Sequence, residues 1–267
     1  MEDIRDVLFE GIASKRFRAV LTAERSGVLS GVEEARACAG ALGIELELCK
    51  GEGAEISHGE RFGNFLGTPK QIALAEERLI GALAKASGIA TAAKTAVQLA
   101  DGRMRIVSGS WKKMPQEIKQ MVRKATAAGG AAFRICQQPM VYLDKNFIRM
   151  FGSIPAATAA CKKLPGSTVV VQIRGMTASV EEETRQALEG GAGILMVDTG
   201  KLEDVRRCVS LLKGIGRQNG VQVAFAGNVH LTDIPNLAEQ GIDILCIGKE
   251  IIDAKLLDLK LDVLREE

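Results

Sequence analysis

The chain has 267 residues, of which 46% are hydrophobic and 25% are charged, and its formal net charge is +2. This length and composition are typical of an α/β protein with one large or two modest domains. Because 35 basic and 33 acidic residues are interspersed along the chain, nothing indicates a surface for nucleic acid or for a membrane, and any cationic site must be local.

The sequence shows no pattern typical of a targeting signal, a membrane span or a cysteine-based site. No apolar run approaches the roughly 18 to 20 residues of a membrane span, and the N-terminus lacks the apolar core of a signal peptide, so we expect a cytoplasmic protein. The six cysteines show no CxxC spacing, which favours free and mostly buried thiols over disulfides or zinc ligands. The chain has two histidines, which argues against a histidine-based metal cluster or a Ser-His-Asp catalytic triad.

The first hundred residues predict an α+β layer of antiparallel strands with helices on one face. The segment that ends the chain alternates apolar and polar residues and is expected to return to this layer, which gives a sandwich domain of residues 1–101 joined by 254–267. The predicted elements are a strand and turn at 16–31, a helix at Val32–Leu42, a strand at 44–50, a glycine-rich stretch at 51–69, a helix at Gln71–Ala86, and a second helix after "SGIAT".

The remainder of the chain has the cadence of consecutive βα units, in which short apolar strands alternate with amphipathic helices. Two units, "ALEGGAGILMVD" and "LAEQGIDILCIG", resemble each other, and this repeat predicts an incomplete (β/α) barrel over residues 102–253. The predicted strands are 104–109, 140–143, Thr168–Ile173, Gly193–Asp198, Val221–Gly227 and Asp243–Gly248, with a helix at Pro115–Ala127.

Polar and glycine residues follow several of these strands. The active site of an α/β barrel lies at the carboxyl ends of its strands, where glycine lets backbone amides approach phosphate oxygens. Gly227 with Asn228, and Gly248 with Lys249, occupy such positions, although they also suit ordinary strand-to-helix turns. Asp198 ends the intervening strand, where a carboxylate can hold ribose hydroxyls or a magnesium ion bound to pyrophosphate.

Several motifs place these features in one family. "SGIAT", "GSWKKMP", "AAGGAAFRI", "MVYLDKNF", "ILMVDTG" and "AFAGNV" occur in the order and near the spacing of quinolinate phosphoribosyltransferase, also called nicotinate-nucleotide pyrophosphorylase (carboxylating), which the chain resembles over nearly its full length. The resemblance implies a type II phosphoribosyltransferase fold. It also implies an enzyme that uses phosphoribosyl pyrophosphate as a substrate together with Mg²⁺. It further implies a homodimer, or a higher oligomer built from such dimers, in which one subunit's N-terminal domain caps the active site of its neighbour.

The resemblance assigns roles residue by residue. Lys112 and Arg134 match basic ligands of the family, Asp198 matches its aspartate, and Ala226 stands beside the phosphate-binding glycines where the family has serine. We therefore predict catalytic roles for Lys112, Gln172 and Asp198, with Asp198 also the metal ligand. The predicted substrate-binding residues are Glu77, Trp111, Phe133, Arg134, Asp144 and Lys145, and the predicted phosphate-binding residues are Ala226, Gly227, Asn228, Gly248 and Lys249.

Other positions depart from the family pattern. Trp111 replaces an arginine, Phe133 replaces a histidine, and Gln172 replaces a carboxylate. Glu77 stands at the position of the arginine that reaches across from the partner, and Asp144 and Lys145 exchange the places of a base and an acid.

Two carboxylates where cations are expected would repel the dicarboxylate quinolinate, whereas two aromatic rings offer stacking faces. The sequence therefore favours a neutral or cationic heteroaromatic acceptor. Authentic quinolinate chemistry and a non-catalytic nucleotide-binding or phosphate-binding role are the alternatives.

Overall fold

The computed structural model describes residues 3–215 and 220–267. The strands are β1 (Phe17–Ala23), β2 (Gly27–Val28), β3 (Glu47–Leu48), β4 (Glu55–Ile56), β5 (Arg61–Gly67), β6 (Arg105–Val107), β7 (Met140–Leu143), β8 (Thr168–Ile173), β9 (Ile194–Asp198), β10 (Gln222–Ala226), β11 (Ile244–Cys246) and β12 (Leu259–Glu266). The α-helices are α1 (Ile4–Leu8), α2 (Val32–Ala41), α3 (Pro69–Ala100), α4 (Lys119–Ala128), α5 (Lys145–Phe151), α6 (Ile154–Cys161), α7 (Val180–Glu189), α8 (Leu202–Gly214), α9 (Ile234–Leu237) and α10 (Lys249–Ile252).

The chain forms two compact units. The first comprises Met1–Thr95, Lys113–Gly130 and Ile251–Glu267, and the second comprises Ala96–Lys112 and Ala131–Glu250. The sequence assigned residues 113–130 to the barrel domain, whereas here they belong to the first unit. Close packing explains this, because a Cβ at Gly129, which follows α4, would lie 2.2 Å from the carbonyl oxygen of Ala90 in α3.

The first unit contains an antiparallel sheet of strand order β12-β1-β5-β3. The C-terminal strand β12 pairs along the whole of β1, in the layer to which the sequence predicts that the chain end returns. The glycine-rich stretch, which was not predicted as a strand, supplies β5 in the interior of the sheet. It does so because Phe62 and Phe65 bury their rings there.

Helix α3 is continuous where two helices were predicted. The glycine in "SGIAT", Gly88, lies inside the helix, and a Cβ at this position would come within 2.0 Å of the carbonyl oxygen of Lys255. Gly88 therefore permits close packing in the first unit and does not end the helix. The helix predicted at Pro115–Ala127 is not a single α-helix. It consists of a 3-10 turn at Gln116–Ile118 followed by α4.

The second unit contains a parallel six-stranded sheet of order β6-β11-β10-β9-β8-β7. In the described residues β6 and β7 do not pair, so the barrel is incomplete, and the predicted class, an N-terminal α+β sandwich with an incomplete (β/α) barrel, is confirmed. The strands are buried on both faces, and one side of the sheet forms a core from Val107, Val170, Ile194, Met196, Ala224 and Ile244.

The six cysteines are free thiols. Cys161 and Cys208 are buried as expected, whereas Cys49 is exposed. Within the described residues, no helix combines the length and the apolar character needed to cross a membrane.

Candidate active site

The carboxyl ends of β7, β8 and β9 are joined by side-chain hydrogen bonds of Gln172. Gln172 is 7% exposed, and its Nε2 donates to Oδ2 of Asp198 at 2.5 Å. Its Oε1 accepts from the backbone N–H of Lys145 at 2.7 Å, which fixes the orientation of the amide. Two predicted catalytic residues and the predicted ligand Lys145 are therefore brought together at one edge of the sheet.

A third side chain reaches the same carboxylate. Nη1 of Arg174 donates to Oδ2 of Asp198 at 3.1 Å, and both side chains are about one third exposed. Arg174 was not selected from the sequence, although its position two residues after Gln172, beyond the end of β8, was a usable signal.

Glu183 holds the loop that carries Arg174. It lies in the first turn of α7, is 2% exposed, and accepts backbone N–H bonds of 2.7 to 2.8 Å from Arg174, Gly175, Met176 and Thr177. The Thr177 hydroxyl donates a further bond of 2.9 Å. Burial opposes ionisation, but the backbone hydrogen bonds outweigh it and keep the pKa of Glu183 below its usual value. The carboxylate is therefore a charged anchor for residues 174–177.

Aromatic residues form a second group in this unit. The indole N–H of Trp111 donates to the carbonyl oxygen of Phe133 at 2.7 Å, so the two predicted stacking residues are adjacent. The guanidinium of Arg134 lies 5.7 Å from the centre of the Phe133 ring, and the ammonium of Lys112 lies 6.0 Å from that of Tyr142. Burial raises the pKa of Tyr142, so the ring is a neutral neighbour for Lys112.

The two carboxylates that suggested charge reversal have other partners. Oδ1 of Asp144 accepts from the backbone N–H groups of Asn146 and Phe147 at 2.8 and 3.0 Å, and the residue is the N-cap of α5. Glu77 belongs to the first unit, where its side chain is 72% exposed and lies 3.4 Å from Arg5. Asp144 is therefore a helix cap within the second unit, and Glu77 stays a predicted contact to the partner's site.

The predicted phosphate-binding glycines have structural reasons to be glycine. Gly227 adopts a φ of +124°, and a Cβ there would lie 2.4 Å from the backbone nitrogen of Gly200, which itself donates to Ala226 at 3.1 Å. Asn228 has a φ of +51°. A Cβ at Gly248, beside Lys249, would lie 2.5 Å from the Ser110 hydroxyl. The loops after β9 and β10 thus touch through their backbones.

The donor set limits the metal that this edge can hold. Among residues 3–215 and 220–267, no group of three or more His, Cys, Asp or Glu side chains is placed to bind a metal. Asp198 ends β9, and a magnesium ion bound by one carboxylate, water and substrate phosphates suits such a site.

Nearly the whole chain matches one family. The family model described as quinolinate phosphoribosyl transferase, C-terminal domain, matches residues 89–262, and the model for the N-terminal domain matches residues 4–87. The chain therefore belongs to the quinolinate phosphoribosyltransferase family.

Individual relatives agree with this assignment. The nicotinate-nucleotide pyrophosphorylase [carboxylating] of Rattus norvegicus is 28% identical over 93% of this chain and 82% of its own length. A probable enzyme of the same name from Methanothermobacter thermautotrophicus is 25% identical over 97% of this chain and 93% of its own length.

Solved structures show the same fold. The nicotinate-nucleotide pyrophosphorylase from Francisella tularensis has a TM-score of 0.81 at 23% identity, covering 98% of this chain and 94% of that one. The corresponding protein from Pyrococcus furiosus also scores 0.81, at 22% identity, covering 99% and 75%.

Proposed function

We propose that the protein transfers the phosphoribosyl group of phosphoribosyl pyrophosphate to quinolinate, the activity for which its relatives are named. The observation that carries this proposal is the charge at the strand ends. Lys145 and Arg174 both contact the Gln172–Asp198 pair. Lys112 lies 6.0 Å from the ring of Tyr142 in β7, while Asp144 caps α5. A cationic edge favours an anionic donor and an anionic acceptor.

Asp144, a carboxylate where the family has a cation, does not exclude quinolinate. Its Oδ1 accepts two backbone hydrogen bonds at the start of α5. Hydrogen bonding to main-chain N–H groups reduces the repulsion that this carboxylate exerts on a substrate anion, which favours the dicarboxylate as acceptor.

The residues have complementary parts in this reaction. The pyridine nitrogen forms a bond to the ribose carbon as the bond to pyrophosphate breaks, positive charge develops on the ribose, and pyrophosphate leaves as an anion; the carboxylate next to the nitrogen departs as CO₂ and a proton takes its place. Lys112 and Arg134 would stabilise anionic groups. Asp198 would lie near the developing ribose cation, oriented by Gln172 and Arg174.

Magnesium and phosphate binding belong to the same proposal. Asp198 is the residue that would hold Mg²⁺, which neutralises pyrophosphate when bound. Backbone amides at Gly227, Asn228 and Gly248 and the side chain of Lys249 would hold the ribose phosphate, with Ala226 leaving room beside them.

A homodimer with shared active sites remains part of the proposal. Glu77, at the family position that reaches across to the partner, is the residue to examine. Charge reversal Glu77→Arg should change the quinolinate KM if this side chain enters the partner's site, and should leave it unchanged otherwise.

A second candidate is transfer to a neutral or cationic heteroaromatic base. The adjacent positions of Trp111 and Phe133 favour it, because the family has an arginine and a histidine there and a planar ring can stack on an indole.

One experiment separates the candidates. Pyrophosphate release is measured with phosphoribosyl pyrophosphate and Mg²⁺ against quinolinate, nicotinate and nicotinamide, with the fluorescence of Trp111 recorded in parallel. We expect turnover and a fluorescence change with quinolinate. Turnover with nicotinamide alone would establish the second candidate, and donor binding without turnover of any acceptor would indicate a non-catalytic protein.

Asp144→Asn is a matched variant for the charge argument. Asparagine retains the side-chain acceptor that caps α5 but removes the charge. If Asp144 repels the acceptor, this variant lowers the KM for quinolinate and leaves that for nicotinamide unchanged. Equal effects on both acceptors would show that Asp144 acts only as the cap.

A further inference from the structure

A pocket lies beside the candidate active site, between α5 and the loop that follows β8. Its lining belongs entirely to the second unit. The residues that matter here are Lys145, Arg149, Gln172, Arg174, Met176 and Thr177.

The electrostatic character of the pocket is one-sided. Lys145, Arg149 and Arg174 bring three cationic side chains to it. The acidic residue of the lining, Glu183, is 2% exposed and already accepts five hydrogen bonds from residues 174–177. Its charge is therefore directed at the loop and provides little carboxylate surface to a ligand.

Two of the cations have no acidic partner among the described residues. Neither Lys145 nor Arg149 forms an ion pair with any side chain in the part of the chain that the structure describes. Arg174 pairs with Asp198 through Nη1 at 3.1 Å. Its backbone nitrogen is held by Glu183 at 2.8 Å, so the residue connects the pocket to the candidate active site.

We propose that this pocket is a binding subsite for a phosphoryl oxyanion, with Arg149 and Arg174 as its principal ligands and Lys145 contributing charge. Guanidinium groups suit phosphoryl oxygens because they present paired N–H donors in one plane. The oxyanion comes either from the pyrophosphate end of the phosphoribosyl donor, a source that rests on the proposed function, or from a free phosphate-bearing molecule.

The test is titration calorimetry of the full chain with inorganic pyrophosphate and, separately, inorganic phosphate. Arg149→Gln removes an exposed cation and should leave the thermal midpoint unchanged. We expect it to weaken pyrophosphate binding by roughly three- to tenfold, and Arg174→Gln to weaken it by about tenfold or more. Arg185→Gln is the matched control, since Arg185 lies on α7, pairs with Glu182 at 3.2 Å and does not line the pocket.

Kinetics of Arg149→Gln then identify the source. A raised KM for phosphoribosyl pyrophosphate, with an unchanged KM for the acceptor, assigns the subsite to the donor. An unchanged KM for phosphoribosyl pyrophosphate, together with loss of the calorimetric binding signal for inorganic phosphate, assigns the subsite to a free ligand.

Three outcomes overturn the subsite. They are unchanged pyrophosphate affinity in both Arg149→Gln and Arg174→Gln, equal weakening by Arg185→Gln, and failure of the unmodified protein to bind either anion. The calorimetric titration is carried out without an acceptor substrate. Pyrophosphate binding that depends on Arg149, combined with no turnover, would therefore contradict the proposed function and leave the subsite standing.

Discussion

The side-chain amide of Gln172 donates a hydrogen bond of 2.5 Å to Oδ2 of Asp198, and its carbonyl oxygen accepts from the backbone of Lys145. A glutamine here can be donor and acceptor at once, which a carboxylate cannot. Asp198 therefore accepts a hydrogen bond from a neutral partner, and the ends of β7, β8 and β9 are joined by one side chain.

Gln172→Glu should destabilise the protein and make its stability depend on magnesium. Two carboxylates in contact repel each other, and the donor to Asp198 is lost, so we expect a cost of about 1 to 3 kcal/mol. Added Mg²⁺ should raise the thermal midpoint of the variant more than that of the unmodified protein. Gln222→Glu, at the exposed start of β10, is the control, and an equal magnesium response in both variants would exclude a specific effect at Asp198.

Glu183→Gln should release the loop of residues 174–177, because the amide has one oxygen where the carboxylate offers two charged acceptors. We expect a loss of about 3 kcal/mol in the free energy of unfolding near neutral pH. Urea denaturation of Glu183→Gln and of Glu182→Gln, a partly exposed neighbour, measures the difference.

The Glu183 effect should also depend on pH. Hydrogen bonds hold the folded pKa below the usual value of 4.5. The stabilisation is therefore complete above that value and disappears as the pH falls through the folded pKa. The gap between Glu183→Gln and the unmodified protein should narrow in acid, and a gap that stays constant down to about pH 3 would contradict the assignment of an ionised Glu183.

Gly227→Ala should disrupt the contact between the loops after β9 and β10. The added methyl would lie 2.4 Å from the Gly200 nitrogen at a φ of +124°, so we expect a loss of about 3 kcal/mol or more. Gly81→Ala is a contrasting control, because Gly81 lies in α3 and, among the described residues outside its own helical turn, no atom lies within 4 Å of the new Cβ. It should stabilise the protein by about 0.5 to 1 kcal/mol. Thermal unfolding measures both, and similar shifts would refute the close approach.

Trp111→Phe should cost about 1 kcal/mol, because it removes the indole N–H that donates to the carbonyl oxygen of Phe133 while keeping a ring in place. Chemical denaturation measures the loss. Phe133→Leu preserves the backbone acceptor, so combining it with Trp111→Phe should give an additive effect if Phe133 takes part only through its main-chain carbonyl. A large coupling energy would show instead that the two rings pack on each other.

The sequence predicts the fold well because strand period and turn chemistry are local. The four late barrel strands appear within one or two residues of their predicted bounds, since buried parallel strands are continuous apolar runs. Strand β5 was missed because its glycines and polar residues are typical of a loop, and only pairing with β1 and β3 makes it a strand.

The site was harder to predict than the fold. Matching to family motifs selected Gln172, Asp198 and Lys145, which do meet at one edge. The family motifs do not include Glu183 or Arg174. Their positions at the site follow from a contact between α7 and the loop that precedes it, which no local sequence pattern encodes. Comparison with the family motifs also interprets Asp144 only as a negative charge near the acceptor. A residue just before a helix can in addition cap that helix, as Asp144 does for α5.

The anchoring of residues 174–177 has a consequence for ligand discrimination. All four of these main-chain N–H groups are committed to Glu183, so this rim cannot form the amide cradle by which many proteins recognise phosphate geometry. Affinity for anions at this rim would then depend on guanidinium and ammonium groups. It should fall steeply with ionic strength and discriminate by charge more than by shape.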